Sequence, residues 1–524
     1  MATSKIFSAC PFGIEARLVT VEVDLRRRGL PAFIIVGLPD QATREARERV
    51  ASAIRNGGLE FPSAKITVNL APAHFKKEGT ELDLPIACGI LAQSEPVNAE
   101  RWENIFSRFL FVGELSLDGA LRGVRGTLAM ASAARSGGFQ GLICPWVNRE
   151  EAALVEGIEV LPCRNLNEVS DWAAGRGELE PYRLADDYWQ RRLQEEAPQQ
   201  GAAVDFAEIQ GNALAKKALE VAAAGGHHAL LIGPPGVGKT LLARATQALL
   251  PPLTPEESSE LTRIYSIGAY TGTFAVVGRR PFRNPHHTAS DIALIGGGPQ
   301  AVPGEITLAH RGVLFLDEMG EFSRPVLEAL RQPLEDGQVT VSRAAAKFRY
   351  PARFLLIGAA NPCPCGYFGS GEKECRCPPG QVLRYRQKFS GPIMDRMDVQ
   401  VQVSAQEFRK GVAAATAPPQ AEATALIRER VWSARAAQQR RLSGRLNSEM
   451  TLQEIKTYCK MAKSEEDFLR RVMEHHRLSP RAYHKILKVA RTLADLAGRE
   501  MISASDLSLA VEMRCLERAL AAAV

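Results

Sequence analysis

The feature that most constrains the fold of this chain is a glycine-rich loop set between an apolar run and a helical run. Residues 229–250 read ALLIGPPGVGKTLLARATQALL, in which GPPGVGKT fits the pattern G-x-x-x-x-G-K-[ST]. The apolar run before the loop predicts a buried strand, and the spaced apolar residues after it predict a helix. A strand, a glycine-rich loop and a helix in this order are typical of an open α/β sheet, so the chain must contain at least one such domain.

The residues of this loop have the chemistry needed to bind the phosphates of a nucleotide. Successive backbone N–H groups and the N-terminus of the following helix can hold phosphate oxygens, Lys239 can reach the β and γ phosphates, and Thr240 can hold Mg²⁺. A chance glycine-rich loop is the alternative, and the flanking strand and helix argue against it. The predicted nucleotide-binding residues are Gly233, Pro234, Pro235, Gly236, Val237, Gly238, Lys239, Thr240 and, from a later strand, Asp317.

Two further apolar runs end in polar residues, as expected of buried parallel strands whose carboxyl ends meet at one sheet edge. The run GVLFLDE ends in Asp317, predicted to bind Mg²⁺ with Thr240, and in Glu318, predicted to orient and activate the attacking water. The run FLLIGAAN ends in Asn361, whose amide could hold water near the γ phosphate. A turn-forming Asn before Pro362 is the alternative. Together with the loop, these residues predict nucleotide hydrolysis.

Four of the ten cysteines lie within residues 363–377, as two Cys-x-Cys pairs. Four thiolates are the tetrahedral ligand set that zinc prefers, and Pro364, Gly366 and Gly369 suit the tight turns that would bring them together. Because the spacing departs from the commoner Cys-x₂-Cys pattern, reduced thiols without metal, a redox switch and an iron–sulfur cluster stay open as alternatives. The cluster directly follows Asn361, so its predicted task is structural. The predicted zinc ligands are Cys363, Cys365, Cys375 and Cys377.

The periodicity of the chain divides it into three folded segments. Over 1–184, runs such as ARLVTVEVDL, AFIIVG and KITVNLAP alternate with helical stretches and predict an α/β domain. Residues 185–204 are charged and Gln-rich without an apolar period, as in a linker. Residues 205–403 form a second α/β domain around the glycine-rich loop, and 404–524 read as helices.

Composition narrows the class of protein without deciding its function. With 45% hydrophobic and 24% charged residues, the chain has the make-up of an ordinary globular protein. A net charge of +6 permits a polyanionic partner but does not establish one. The sequence shows no apolar run of the roughly 18 residues that a membrane span needs, and its start lacks the apolar core of a signal peptide. We therefore expect a cytoplasmic protein without a membrane partner.

The motifs, taken in order, carry a family resemblance. The glycine-rich loop, VLFLDE, the Asn-ending strand, GPIMDRMDV and LSPRAYHKILKVARTLADL follow one another as in AAA+ ATPases. Together with FRNPHHTASDIALIGGG and ANPCPCG, they make the chain resemble the magnesium-chelatase-like ComM/YifB family nearly end to end. The resemblance implies that Asn361 is sensor 1, Arg396 the arginine finger and Arg481 sensor 2. The alternatives are an ion pair of Arg396 with Asp395 or Asp398, and a solvated Arg481.

The same resemblance implies the architecture. It predicts an α/β protein with a Lon-protease-like α/β domain at the N-terminus, an AAA+ P-loop ATPase core and a C-terminal helical lid. The protease relatives of this family need a serine nucleophile and a lysine base, whereas Ile86 and Arg125 stand near those positions here. Because an arginine cannot lose its proton to act as a base, we do not expect proteolysis.

Two basic segments could contact a polyanion. QVTVSR and FRYPARF predict a hairpin with Arg343, Lys347 and Arg349 at or near its tip. Such hairpins resemble those that ring ATPases point into a central pore, where cations can follow a phosphate backbone. In GRRPFRNPHHTASD a pore or subunit contact is favoured over a metal site, and a solvated run of charge is the alternative for both segments. The basic residues of this second segment are Arg279, Arg280, Arg283, His286 and His287.

Three classes of function follow from the resemblance. The first is an ATP-driven ring motor on single-stranded or branched DNA, a branch-migration helicase in natural transformation and homologous recombination. The second is a remodelling ATPase of the magnesium-chelatase type, which drives metal insertion into a tetrapyrrole, and the third is a protein-remodelling or regulatory AAA+ ATPase. The expected cofactors are ATP, Mg²⁺ and Zn²⁺, and the expected assembly is a hexameric ring in which Arg396 acts in trans.

Overall fold

The computed structural model describes residues 3–27, 30–94, 98–195, 204–268, 276–298, 301–342, 347–369, 373–388, 391–404, 422–476 and 478–514. The chain forms two compact units. The first is Met1–Gln194 together with Thr254–Gly278, and the second is Glu195–Leu253 together with Arg279–Val524. The first unit therefore includes a segment that the sequence analysis had assigned to the second α/β domain.

The strands lie mainly in the first four hundred residues. In chain order they are β1 (Ser4–Phe12), β2 (Glu15–Arg26), β3 (Ala32–Val36), β4 (Lys65–Ala71), β5 (Phe109–Phe111), β6 (Glu114–Leu115), β7 (Leu121–Arg122), β8 (Gly141–Pro145), β9 (Glu159–Cys163), β10 (Ala229–Ile232), β11 (Phe282–Arg283), β12 (Gly296–Gly297), β13 (Val302–Pro303), β14 (Val313–Leu316), β15 (Gln338–Ser342), β16 (Lys347–Pro351), β17 (Leu355–Ala360) and β18 (Val399–Gln402).

The helices alternate with these strands and then continue alone. In chain order they are α1 (Gln41–Asn56), α2 (Asp83–Ser94), α3 (Ala99–Arg108), α4 (Thr127–Ser136), α5 (Arg149–Ala153), α6 (Leu166–Ala174), α7 (Tyr188–Glu195), α8 (Ala213–Gly225), α9 (Lys239–Gln247), α10 (Pro255–Gly268), α11 (Asp291–Ile295), α12 (Glu305–Leu308), α13 (Arg324–Ala329), α14 (Arg331–Asp336), α15 (Pro379–Lys388), α16 (Gly391–Met394), α17 (Thr424–Arg441), α18 (Leu452–Tyr458), α19 (Lys463–His475), α20 (Pro480–Leu496) and α21 (Ala504–Glu512).

The first unit is built on a seven-stranded sheet in the order β3-β4-β2-β1-β5-β8-β9. Strand β2 is antiparallel to β1 and β4, whereas β5, β8 and β9 run parallel. Alternate residues of a strand point to opposite faces. Ile6 and Cys10 of β1 accordingly pack with α1, α2, α3 and α6, while Ala9 packs with α4 and α5. The α/β prediction for this segment is confirmed.

The second unit contains a five-stranded parallel sheet in the order β11-β14-β17-β10-β18. Its strands are short, and the three central ones, β14, β17 and β10, are apolar and buried at every position, as a sheet covered on both faces requires. Ile232 lies opposite Ala360, and Leu316 lies opposite Gly358. The residues that follow β10, β14 and β17 therefore emerge side by side at one carboxyl edge.

The C-terminal part of this unit is helical, as predicted, from α17 to α21. Helix α20 carries the predicted site residue Arg481. It begins after Ser479, whose side chain accepts a hydrogen bond from the Ala482 N–H. An ion pair joins α20 to the start of β18: Lys485 Nζ lies 2.6 Å from Asp398, the residue before the strand. None of the helices in the described ranges is long and apolar enough to cross a membrane.

The predicted linker over 185–204 contains helix α7, which the sequence analysis did not predict. Tyr188 and Trp189 begin this helix, and their rings contact each other at 5.5 Å between centroids. A helix of two turns is too short to show a repeating apolar period, so pattern alone does not reveal it.

Candidate functional site

The glycine-rich loop connects β10 to α9 at the carboxyl edge of the parallel sheet. Gly236 and Gly238 adopt φ values of +81° and +85°, a region that favours glycine. A Cβ atom at either position would meet nothing within 4 Å. The backbone conformation, and not a lack of space, is therefore what favours glycine at these two positions. A loop of this kind turns successive N–H groups towards a bound anion at the start of α9.

Lys239 is the first residue of α9, and its side chain folds back onto the start of the loop. Its ammonium donates to the carbonyl oxygens of Gly233 at 2.6 Å and Pro234 at 2.9 Å, and to Asn361 Oδ1 at 3.1 Å. Burial lowers the pKa of Lys239 to about 8, against the opposite effect of the two carboxylates that follow β14. The structure thus brings Asn361, from the end of β17, into contact with the loop lysine.

Thr240 and Asp317 meet at the same edge of the sheet. The Thr240 hydroxyl donates to Asp317 Oδ2 at 2.8 Å, and Asp317 Oδ1 accepts the Glu318 N–H at 2.9 Å. Hydroxyl and carboxylate oxygens are the ligands that Mg²⁺ prefers, so this pair fits the predicted magnesium site. A magnesium ion bound there would neutralise charge on the β and γ phosphates.

Glu318 has an unusual backbone and an unpredicted neighbour. Its φ is +49°, which is uncommon for a residue with a Cβ atom, and its carboxylate is about half exposed, at 55%. Its Oε2 atom lies 3.4 Å from Nδ1 of His287, whose ring packs against that of His286 at 4.2 Å between centroids. The sequence analysis had placed His287 in a pore or subunit contact. The signal it missed is β11, which pairs with β14 and brings the residues after it to this edge.

A cavity of about 380 Å³ opens between these groups, within the size range of small-molecule sites. Arg396 and Arg481 are not among the described residues that line it. The lining consists of Pro235, Gly236, Val237, Gly238, Lys239, Thr240, Leu241, Asp317, Glu318, Ala359, Ala360 and Asn361.

The two predicted arginines share one carboxylate instead. Arg396 is buried, at 7% exposure, and its Nη2 pairs with Glu335 of the same chain. Arg481, in the first turn of α20, lies 3.6 Å from Glu335 and 3.7 Å from Asp395. Asp398, a partner considered for Arg396, forms the ion pair with Lys485. Within one chain, therefore, both arginines are engaged in carboxylate pairs, and their roles as finger and sensor stay predictions.

The four clustered cysteines converge as the zinc prediction requires. Their sulfur atoms all lie within 4.8 Å of one another, with separations of 3.3 Å, 3.7 Å and 3.6 Å among Cys363, Cys365 and Cys375. Four sulfurs in a tetrahedron around zinc stand about 3.8 Å apart, given a Zn–S distance of about 2.3 Å. Burial raises the pKa of the Cys363 thiol to about 12, so binding a cation there would release its proton. Cys377 completes the set.

The basic hairpin is present as β15 and β16, paired antiparallel from Gln338 opposite Pro351. Lys347 and Arg349 are exposed, whereas the alternate residue Tyr350 is buried and donates its hydroxyl to Ala301 O. The hairpin therefore presents its cations on one face. Arg343 lies outside the described residues.

The arginines of the second basic segment have partners within the chain. Arg280 donates to the carbonyl oxygens of Pro251 at 2.5 Å and Arg311 at 2.8 Å. Arg283 forms a two-pronged pair with Glu305, both contacts at 2.6 Å. These contacts give the two arginines a structural role in the second unit.

Comparison with known proteins shows which family models and which relatives match this chain. The model of magnesium chelatase, subunit ChlI, matches residues 205–410. Models of the same subunit match 21–148 and, for its C-terminal part, 421–514. The protein YifB of Escherichia coli is 41% identical over 99% of this chain and 98% of its own length.

The chain belongs to the magnesium-chelatase-like ComM/YifB family of AAA+ proteins. The competence protein ComM of Haemophilus influenzae is likewise 41% identical, over 99% of both chains. The 38 kDa magnesium-chelatase subunit of Cereibacter sphaeroides is 29% identical over 25% of this chain and 44% of its own length. The family is one of AAA+ ATPases, and membership implies ATP and Mg²⁺ as cofactors.

In the first unit, Ile86 and Arg125, which stand near the serine and lysine positions of the protease relatives, lie in different environments. Ile86 is fully buried in α2, within the larger of the two cores, whereas Arg125 is exposed. An apolar core residue and a guanidinium at the surface supply neither a nucleophile nor a base.

Proposed function

We propose that this protein hydrolyses ATP and that hydrolysis drives a ring-shaped motor on DNA, a branch-migration helicase. The observation that carries the ATPase part is the convergence of Lys239, Thr240, Asp317, Glu318 and Asn361 on one cavity at the edge of a parallel sheet. Five polar residues from three separate segments meet there although they are up to 122 positions apart in sequence.

Each of these residues has a separate task in the proposed reaction. The loop backbone and Lys239 bind the phosphates, and Thr240 with Asp317 orient the magnesium ion. Glu318 orients the attacking water and accepts its proton, while Asn361, which follows the neighbouring strand β17, helps to hold water near the γ phosphate. When bound, Mg²⁺ supplies the charge that the leaving diphosphate needs.

Two observations support DNA as the partner. The hairpin β15–β16 presents Lys347 and Arg349 on an exposed face, and cations on such a hairpin can follow a phosphate backbone irrespective of base sequence. The relative in Haemophilus influenzae is named a competence protein, which favours DNA uptake and recombination as the setting. In a hexameric ring the hairpins of all subunits would share one axis. The nine cysteines within the described ranges form no disulfide, which suits a cytoplasmic location.

Metal insertion into a tetrapyrrole is the second candidate. The family models that match this chain are those of magnesium chelatase, and that enzyme's 38 kDa subunit matches a quarter of it. A motor for this task would respond to a porphyrin and its partner subunits rather than to DNA.

ATP hydrolysis measured with different partners separates the candidates. We expect single-stranded or branched DNA to raise the rate of the purified protein, and a porphyrin or an unfolded protein to leave it unchanged. Stimulation by porphyrin alone would favour the chelatase role, and stimulation by unfolded protein would favour a remodelling role.

Two variants test the proposed roles of Lys239 and Glu318. Lys239→Ala should abolish nucleotide binding, whereas Glu318→Gln should bind ATP and lose on the order of a hundredfold in turnover. Near-normal turnover in Glu318→Gln would remove Glu318 from catalysis.

We also infer that the four-cysteine cluster holds one zinc ion in a structural role. The sulfur separations of 3.3–3.7 Å support this assignment, and four protein ligands leave no open position for catalysis. Elemental analysis of the purified protein should give one zinc per chain, and Cys375→Ser together with Cys377→Ser should remove it. Four freely titratable thiols and no metal in the intact protein would contradict the assignment.

A further inference from the structure

The first turn of the cysteine cluster packs directly on the phosphate loop. Gly366 is buried, has a φ of +83°, and donates its N–H to Cys363 O at 2.9 Å. A Cβ atom at Gly366 would lie 2.6 Å from Pro235 Cδ, closer than side-chain atoms pack. The backbone between two predicted metal ligands therefore sits against a residue that lines the nucleotide cavity.

The far side of the cluster reaches the other two strand ends of the same site. Cys377 is followed at once by α15, in which the buried Tyr385 hydroxyl is hydrogen-bonded to the backbone of Asn361. Lys388, at the end of α15, donates to Gly320 O at 3.1 Å, two residues after Glu318. The segment from Cys363 to Lys388 thus contacts the phosphate loop and the chain next to both polar strand ends.

The two halves of the cluster meet at their sulfur atoms and at ring contacts. Phe368 N–H donates to Cys363 Sγ at 3.3 Å within the first half. Between the halves, Arg386 lies over the Phe368 ring at 4.7 Å, and Cys375 Sγ lies 3.7 Å from Cys363 Sγ. Thiolates at these distances repel one another unless a cation binds them. A bound cation would lock the turn at Gly366, and its loss would free that turn to move.

We propose that the cation held by the four thiolates sets the position of the phosphate loop through the Gly366–Pro235 contact, so that metal occupancy controls nucleotide affinity. The cluster would then be a metal-dependent regulator of the ATP site as well as a structural clip. This inference rests on the proposed ATP binding and on a thiophilic cation, with zinc as the ion to test.

Two glycines of the cluster supply matched variants. Gly366 and Gly369 both adopt positive φ, at +83° and +68°, but a Cβ at Gly369 would meet nothing within 4 Å. Both Gly366→Ala and Gly369→Ala therefore strain the backbone, and only the first pushes on Pro235. By calorimetry with MgADP we expect Gly366→Ala to weaken binding about tenfold or more and Gly369→Ala to stay within about twofold of wild type. Equal effects of the two variants would overturn the proposal.

A double-mutant cycle isolates the contact itself. Pro235→Ala removes the ring atoms that the new methyl group would meet, so Gly366→Ala should cost much less affinity in that background. Zinc content and the thermal unfolding midpoint of each variant report whether the cluster and the fold are intact. An unchanged cost of Gly366→Ala in the Pro235→Ala background would contradict coupling through this contact.

Metal removal tests the same coupling without a change at the contact. Zinc is removed from the wild-type protein, the chelator is dialysed away, and MgADP binding is measured before and after zinc is restored. We expect weakened binding without zinc and recovery with it, and the same weakening in Cys375→Ser, which leaves both Gly366 and Pro235 unchanged. Equal affinity with and without zinc would refute the metal-dependent coupling. If the zinc-loaded wild type fails to bind MgADP at all, the proposed ATP function fails instead.

Discussion

At the scale of single residues, Lys239 links the burial of the site to the pH dependence of nucleotide binding. Its pKa is lowered to about 8 by burial, and a bound phosphate would raise it again. We therefore expect nucleotide binding to be strongest below about pH 8, where Lys239 is already charged, and to weaken by up to about tenfold per pH unit above it. Calorimetric titration with MgATP in buffers of different ionisation enthalpy should show proton uptake above about pH 8. Constant affinity to about pH 9.5 without proton uptake would contradict this assignment.

His287 is a second residue whose effect can be measured. Because its Nδ1 lies 3.4 Å from Glu318 Oε2, we regard it as a positioning residue that orients the carboxylate proposed to activate water. His287→Ala should lower kcat on the order of three- to tenfold, with KM for ATP nearly unchanged, since the carboxylate is partly solvated. His287→Asn, which keeps a donor near the Nδ1 position, should restore most of the rate.

The control for this prediction is His475→Ala, which removes an exposed imidazole from α19. This variant should keep wild-type kcat. If His287→Asn is as slow as His287→Ala, or if KM rises in step with the loss of kcat, His287 does not act by orienting Glu318.

At the scale of elements, the hairpin β15–β16 is the part that we expect to sense DNA. Its exposed face carries Lys347 and Arg349, while Tyr350 holds the other face to the unit. Replacing both cations by Gln should remove most of the DNA stimulation of ATP hydrolysis, with basal hydrolysis unchanged. The remaining DNA response should also depend less steeply on salt, because fewer phosphate contacts release fewer counterions.

A matched loss of charge elsewhere distinguishes a local contact from a general effect. Lys456→Gln with Lys460→Gln removes two exposed positive charges, one within α18 and one two residues after its end. This control should leave DNA stimulation intact. Full stimulation in the hairpin variant would mean that the strand passes elsewhere.

At the scale of the whole molecule, Arg396 tests whether the protein works as a ring. In one chain Arg396 pairs with Glu335 and does not line the cavity described here, so any catalytic role requires it to reach a neighbouring subunit. Arginines supplied in trans are worth about a thousandfold or more in rate where measured. Arg396→Ala subunits mixed with an equal amount of wild type should therefore lower activity well below half.

Glu335 provides the comparison for that experiment. Glu335→Gln removes the charge partner of Arg396. If that pair only holds Arg396 within its own chain until a neighbouring subunit binds, Glu335→Gln subunits should not lower the activity of the wild-type subunits mixed with them. If Arg396→Ala is inactive alone, melts at a lower temperature and leaves mixed wild-type subunits unaffected, the Glu335 pair is structural and the in-trans role fails.

The sequence by itself determined the sheet core and most of the candidate ATP site. Apolar strands, a glycine-rich loop and helical periods are local signals, because a buried parallel strand must be apolar throughout and a phosphate loop needs glycine where φ is positive. The parallel topology then forces Asp317, Glu318 and Asn361 to emerge beside Lys239. The convergence of the cysteines also follows from a short-range pattern. Helix α7 was missed because two turns carry too little periodicity.

Only the tertiary structure decided which partners these groups meet. Neither the His287–Glu318 contact nor the shared Glu335 of Arg396 and Arg481 has a local signal, since each joins residues from separate segments. The assignment of Thr254–Gly278 to the first unit likewise depends on packing. Gly366 and Pro235 are more than a hundred positions apart and come into contact only in the fold. Because Gly366 has no side chain, its sequence gives no sign of this contact. Spacing along the chain predicts what a segment can form, but long-range packing selects the neighbour that gives each residue its task.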